Sequence, residues 1–122
     1  MTFKNILDIN QGIMILKNNN IKFKIKIANK LLINLKNTDI IINEQNKVIN
    51  ELSKKYSSFD GYSYVINDKI NEYQKDYNEI INQEINEDSI GIIKIDEHEL
   101  CDYEFDISTF ELIKPIINIS ST

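Results

Sequence analysis

A regular apolar stripe constrains the fold of this chain more than any other feature of its sequence. From Ala28 to Tyr56, apolar or small side chains recur at alternating steps of three and four residues, with polar interruptions at Thr38 and Gln45. The stripe occupies positions 28, 31, 35, 38, 42, 45, 49, 52 and 56. This spacing places the side chains on one face of a helix. It predicts one long helix that ends near Tyr56.

A second stripe predicts a second long helix, over about 66–86. Its apolar positions are Ile66, Ile70, Tyr73, Tyr77, Ile80 and Ile85. The intervening segment from Ser57 to Gly61 has the composition of a turn. Two long helices joined by a short loop are expected to form an antiparallel hairpin. Their charges support this pairing, because the first helix is rich in lysine and the second carries five acids against two lysines.

Two shorter segments precede the long stripe. The apolar spacing over 3–17 predicts a short N-terminal helix, which an isolated glycine weakens and a run of three asparagines ends. The strict alternation over 21–27 is typical of a half-buried strand. A helix over the same segment would align Lys22, Lys26 and Lys30 on one face, so both structures stay open.

The C-terminal third mixes strand and helix signals. The isoleucine-rich segment over about 90–95 predicts a strand, which would pair with 21–27 if that segment is extended. Ser108 and Glu111 have the spacing of a capping box and predict a short final helix that ends before Pro115. The expected fold is therefore mainly α, of the α+β type, with a helical hairpin, a small β element and short helices at both ends.

Length and composition limit the class of protein. A chain of 122 residues corresponds to a single domain over residues 1–122 and leaves a homodimer open. The only cysteine, Cys101, cannot form an intramolecular disulfide, which fits a reducing compartment. Residues 1–20 contain no long apolar run, so we expect no signal peptide, no membrane span and a cytoplasmic location.

Charge is distributed very unevenly along the chain. Residues 1–55 hold ten lysines against four acids, a net of +6, whereas residues 56–122 hold fifteen acids against four lysines, a net of −11. Residues 87–111 alone have a net charge of −8. Such segregation either pairs internally on folding or is presented to a charged partner.

One short segment contains every common type of metal ligand. The run from Asp96 to Asp102 includes His98 and Cys101, but the chain has no second histidine or cysteine to complete a zinc site. In an extended segment His98 points away from its acidic neighbours, and in a helix it aligns with Asp102 but not with Cys101. The favoured interpretation is a solvated acidic turn with Leu100 buried, and neither a metal nor a cofactor is predicted.

No arrangement of residues predicts catalysis. Nucleophilic chemistry would require Cys101 or a serine held by a base, and acidic surroundings would raise the thiol pKa. The three glycines are isolated, so there is no loop that could cradle a phosphate. We therefore expect a protein that is not an enzyme.

The basic segment from Lys17 to Lys30 could in principle follow a phosphate backbone. The chain has no arginine, which supplies the bidentate contacts favoured in nucleic-acid recognition, and it is acidic as a whole. The favoured role for this segment is internal, pairing its lysines with the acidic region over 87–111. Direct binding to nucleic acid or to a membrane is not expected.

The order of these features resembles a group of small proteins from tailed phages and prophages. The pieces that carry the resemblance are Lys26–Leu31, Lys54–Tyr56, Asp60–Gly61, Tyr77–Ile81 and Ile107–Ile117. The resemblance implies a phage origin and assigns no catalytic residue. The group has arginine in its long helix and this chain has none, which disfavours a phosphate-related role.

Together these observations predict a protein-binding protein. A cluster of carboxylates can occupy a basic nucleic-acid-binding channel, so the expected partner is a host defence nuclease that the protein inhibits, in the manner of anti-CRISPR or anti-restriction proteins. The alternative is an accessory protein of virion or tail assembly that associates through the apolar stripe of the hairpin. The residues expected to bind the nuclease are Asp96, Glu97, Glu99, Asp102, Glu104 and Asp106.

Overall fold

The computed structural model describes residues 1–59, 61–66 and 68–119. The fold is mainly helical, with a long helix, a shorter helix beside it and two small pairs of strands. The helices are α1 (Phe3–Asn18), α2 (Ile25–Tyr56), α3 (Ile70–Ile81), α4 (Glu87–Ile90) and α5 (Ile107–Ile113), with 3-10 turns at Glu97–Leu100 and Lys114–Ile116. The strands are β1 (Ser58–Phe59), β2 (Tyr64–Val65), β3 (Ile95–Asp96) and β4 (Ile117–Asn118).

Helix α1 begins at a capping box that its sequence provides. The Thr2 hydroxyl accepts a hydrogen bond from the Asn5 backbone N–H, and the Asn5 side chain accepts one from the Thr2 N–H. These bonds satisfy two amide groups that a helix start leaves without partners. The apolar face of α1 is fully buried, which confirms the helix predicted over 3–17. This face consists of Phe3, Ile6, Ile9, Gly12, Ile13 and Leu16.

The core forms where α1, the first half of α2 and the C-terminal segments meet. Its α2 members are Ile27, Leu31 and Leu35, of which the last two belong to the stripe that predicted this helix, and the helix ends at Tyr56 as expected. The other members come from α1, β3, the 3-10 turn at Glu97–Leu100 and the region around α5. The core cluster is Ile9, Ile13, Leu16, Ile27, Leu31, Leu35, Ile95, Leu100, Ile113, Ile116 and Ile117.

The small β element differs from the sequence expectation. Residues 21–24 form no strand, and α2 begins at Ile25, so the predicted strand over 21–27 is wrong. Of the strand predicted over 90–95, only Ile95 lies in one; it pairs in parallel with Ile117 of β4. An asparagine explains the difference, because the fully buried Asn34 side chain binds both the N–H and the C=O of Ile93 at 2.8 Å. This side chain takes the place of a neighbouring strand.

The region that follows the core contains no buried residue among those described from 39 to 94. It includes the second half of α2, the antiparallel β1–β2 pair and α3, and we call residues 39–81 the arm. Within the arm, the Tyr56 hydroxyl donates to Asp76 at 2.6 Å. The helix predicted over 66–86 is shorter, over Ile70–Ile81, and two residues of this region, Asp60 and Asn67, lie outside the described part.

The final helix is present where the sequence predicted it, but it begins differently. The residue before α5 is Asp106, and its side chain forms no capping hydrogen bond. The prediction of a capping box at Ser108 and Glu111 is therefore wrong. The helix ends at Ile113, before Pro115 as predicted, but Lys114 keeps a helical conformation and opens a 3-10 turn at Lys114–Ile116, so the expected restriction on the residue before proline does not apply here. Ile113 and Ile116 are fully buried, so this end of the chain closes the core.

Candidate protein-binding surface

Apolar and aromatic residues hold the acidic segment of the chain against the basic segment that precedes α2. Leu100 is buried in the core, and the Tyr103 ring lies 4.7 Å from the Phe23 ring, centroid to centroid. The Tyr103 hydroxyl accepts a hydrogen bond from the Lys24 backbone N–H at 2.9 Å. These contacts fix the backbone from which the carboxylates project.

The carboxylates of this segment point outward because the inward positions belong to its apolar residues. Residues 103–106 have no helical structure, and exposure alternates along them: Tyr103 and Phe105 are half-buried, whereas Glu104 and Asp106 are exposed. Two further acids of the segment, Glu97 and Asp102, are exposed as well. None of these four acids forms an ion pair with any described residue. They leave an unneutralised negative surface.

Asp96 is also exposed, but it has local hydrogen bonds. Its side chain caps the 3-10 turn that follows, in a capping box with Glu99, and accepts from Asn118 at 3.4 Å. The spacing of aspartate and glutamate three residues apart is a recognisable capping signal that the sequence analysis did not use. We define the acidic surface as the five exposed acids of this region, Asp96, Glu97, Asp102, Glu104 and Asp106.

Glu99, the sixth predicted binding residue, has a different environment. Its side chain is only 11% exposed, and its carboxylate lies 3.0 Å from the Lys30 ammonium and 3.9 Å from that of Lys26. The hydrogen bond from Lys30 lowers the pKa of Glu99, with a further contribution from the Asp96 backbone N–H. Glu99 therefore joins the acidic segment to α2 and is not part of the acidic surface.

Among the described residues, the basic segment from Lys17 to Lys30 forms ion pairs with the acidic region over 87–111 at Glu99 alone. Lys26 and Lys30 are the members of the basic segment that reach an acid among the described residues, whereas Lys17, Lys22 and Lys24 are exposed without an ion pair there. The other ion pair of the acidic region joins two of its own residues. Most of the segregated charge is therefore presented to solvent.

The residues that could have formed a reactive site do not converge. The Cys101 thiol is directed to the Glu97 carbonyl at 3.8 Å, and the thiol is exposed. A shallow cavity of about 280 Å³ contains His98 and Asp102 but not Cys101. Within the described part of the chain, no three His, Cys, Asp or Glu side chains are placed to hold a metal ion.

A second surface lies on the arm. A cavity of about 900 Å³ opens beside the end of α2, lined by Ser53, Lys54, Ser57, Tyr64, Val65 and Ile66. Near it, the hydrogen bond to Asp76 raises the pKa of Tyr56, with burial adding to the effect. Large apolar side chains are exposed along the arm, namely Ile40, Val48, Phe59, Tyr62, Tyr64 and Ile70.

Sequence reasoning missed two residues that position the acidic surface. Tyr103 and Phe23 come together across 80 positions of the chain, and the alternation over 21–27 that contains Phe23 does not indicate which residue covers it. The alternation of aromatic and acidic residues over 103–106 was the available signal, since alternation indicates that one side of an extended segment is covered.

Comparisons with protein families, with characterised proteins and with solved structures give no match to this chain. None of the helices described here is both long enough and apolar enough to cross a membrane.

Proposed function

We propose that this chain is a non-enzymatic, phage-type protein that binds a host defence nuclease through the acidic surface and inhibits it, as anti-CRISPR and anti-restriction proteins do. The observation that carries the proposal is the exposure of Glu97, Asp102, Glu104 and Asp106 without ion pairs, on a segment that Tyr103 fixes in place. The protein acts in the cytoplasm of the host cell.

The physical reason is electrostatic. Carboxylates held on a fixed backbone present negative charge at defined positions, as phosphates do along a nucleic acid, and a channel lined by lysine and arginine attracts both. Complementary potentials increase the association rate and exclude partners with the wrong charge. The adjacent Lys22 and Lys24, which are exposed, would be repelled by the basic lining, so the protein would be oriented with these lysines outside the channel.

The first step of the test identifies the partner. The tagged protein is used to capture its partners from phage-infected host lysate after nuclease treatment, and the bound proteins are eluted with salt. The purified partner then enters a cleavage assay on its DNA substrate, with the protein added at increasing concentrations. We expect inhibition by competition with DNA, and weaker inhibition at higher salt because the contact is between exposed charges.

Two matched variants test which acids are required for inhibition of the nuclease. The triple variant Asp102→Asn, Glu104→Gln and Asp106→Asn neutralises three of the five acids of the acidic surface, and the control Asp68→Asn, Glu72→Gln and Glu79→Gln neutralises three exposed acids of the arm. We expect the first variant to weaken inhibition by at least about tenfold and the control to retain it. Equal inhibition by both variants, or a captured partner without a basic channel, would contradict the proposal.

The arm supports a second candidate function, that of an accessory protein in virion or tail assembly. Its residues from 39 to 81 include none that is buried among those described, which leaves apolar side chains available to another protein. We infer that α2 and α3 run antiparallel as a helical hairpin, joined by the β1–β2 pair. This candidate predicts association with phage structural proteins that is insensitive to salt and is lost in Ile70→Asp or Tyr77→Asp.

A further inference from the structure

We propose that two copies of this chain associate through α2, with the second half of the helix in one copy running antiparallel to the same segment in the other. The two-fold axis crosses the helix at the level of residue 49, on the exposed face opposite the half-buried Ile49 side chain. This interface is independent of the acidic surface, which lies on the C-terminal segment. Four charged residues of α2 carry the contact, namely Glu44, Lys47, Glu51 and Lys54.

The exposed area of the chain indicates that a surface of sufficient size is available. Its accessible area is 8342 Å² for a mass of 14.3 kDa. The size scaling of compact monomers gives about 6,800 Å² for that mass, so this chain exposes roughly 1,500 Å² more. A stable interface buries about 800 Å² on each partner. The surplus therefore exceeds what a dimer requires.

The arm contributes this surplus of exposed surface area. The first half of α2 contributes buried residues to the core as far as Thr38, and the second half contributes none. Ile40 is 47% exposed and Val48 is 48% exposed, although both are large apolar residues in the interior of a helix. A stable helix normally depends on packing of its apolar side chains, so the second half of α2 lacks part of its packing in a single copy.

The pattern of charge identifies the second copy as the occupant. Glu44, Lys47, Glu51 and Lys54 are spaced by three, four and three residues, so they share one stripe of the helix. Their signs alternate, and positions 44 and 54, like 47 and 51, lie at equal distances on either side of Ile49. An antiparallel copy therefore places Glu44 opposite Lys54 and Lys47 opposite Glu51, and two-fold symmetry repeats both pairs.

These four residues have no ion-pair partner within the described part of one copy, and all four are exposed. Ile40 lies one helical turn before Glu44 in the same stripe, and Val48 lies beside Lys47. The contact thus has an apolar component, and its ion pairs specify the antiparallel register. A parallel arrangement would place like charges against each other, which disfavours it.

The test is a charge exchange read out as molecular mass in solution. Sedimentation equilibrium at low salt should show a species of twice the 14.3 kDa chain mass. Glu44→Lys alone, or Lys54→Glu alone, should weaken the dimer at least about tenfold, because symmetry turns two attractive pairs into repulsive ones. The double variant should restore it. Glu44 and Lys54 are about 15 Å apart along one helix, so only a contact between copies can produce this rescue.

Controls separate the interface from folding and from total charge. Glu79→Lys reverses an exposed acid on α3 and should leave the dimer intact. Circular dichroism should show the same helical content in every variant, since all the substitutions are at exposed positions. A monomer in the unmodified protein, or a dimer that Glu44→Lys leaves unchanged, would overturn the proposal, as would a double variant that stays as weak as the single ones.

Discussion

The contact between Gly12 and α5 leads to a prediction that reverses the usual effect of a helix substitution. Alanine in place of glycine in a helix interior ordinarily stabilises it by about 0.5–1 kcal/mol. Here a Cβ at position 12 would lie 2.5 Å from the Ile113 Cγ2 atom and 3.1 Å from the Leu112 Cβ atom. Ile113 is fully buried, so it has no free space into which to move. We expect Gly12→Ala to separate α1 from α5.

Overpacking of this kind costs about 1–3 kcal/mol, which exceeds the gain in helix propensity. The free energy of unfolding should therefore fall by about 1–2 kcal/mol, and the midpoint of thermal unfolding by roughly 5 °C. Urea unfolding followed by circular dichroism measures the first quantity. Gln11→Ala, at an exposed position on the same helix, serves as the control and should change stability little.

A double-mutant cycle tests the cause directly. Ile113→Ala alone should cost about 2–5 kcal/mol through the cavity that it leaves. On the Gly12→Ala background it should cost at least about 1 kcal/mol less, because the truncated side chain makes room for the new methyl group. If Gly12→Ala stabilises the protein, or if the two changes are additive, the reasoning from this close approach is refuted.

Two further predictions concern polar contacts. Asn34→Leu should lower the free energy of unfolding by about 2 kcal/mol or more, because it removes the partners of both backbone groups of Ile93; an unchanged urea midpoint would contradict this. Glu99→Gln should make the free energy of unfolding depend less on pH in the acidic range. The folded-state pKa of Glu99 lies below its ordinary value of 4.5, so the Lys30 contact stabilises the protein above that pH and is lost as pH falls through the lowered pKa. Urea unfolding at neutral pH and below pH 4.5 measures the difference, and identical profiles for the two proteins would show that the pair is irrelevant to stability.

The parts of the fold that sequence predicted well depend on local periodicity. The end of α2 at Tyr56 and the buried face of α1 follow from spacing alone, since a helix places residues three and four apart on one side. The same stripe does not reveal which element covers it. Its first half is buried in the core and its second half is not, and this difference depends on where α1 packs against α2.

The strand predictions failed for a reason that sequence alone does not show. Both isoleucine-rich segments need hydrogen-bond partners for their backbone, and a strand in a sheet was the expected source. At Lys24 the partner is the Tyr103 hydroxyl, and at Ile93 it is the Asn34 side chain. Each pair is separated by more than fifty residues, so no local pattern indicates it.

The sequence predicted the six acids of the candidate site as one group. Only the structure shows that five of them form an exposed surface, whereas Glu99 pairs with Lys30. All six acids belong to one strongly negative segment, and nothing in that segment shows that Glu99 is paired with a lysine. The distinction comes from Lys30, which α2 places 3.0 Å away. Exposure of the remaining acids follows from Tyr103 and Phe105, whose rings turn toward Phe23 and Phe110.

This division bears on why the chain retains so many unpaired acids. Like charges close together repel and lower the stability of the folded state, and exposed acids such as Asp102 and Glu104 form no described ion pair that would offset the repulsion. Exposed lysines, among them Lys22 and Lys24, lie just before α2 and also form no ion pair among the described residues. A fold optimised for stability would bring these groups together, as it does at Glu99. Their separation is expected if the negative surface must stay accessible to a basic partner, because an internal ion pair would compete with that contact.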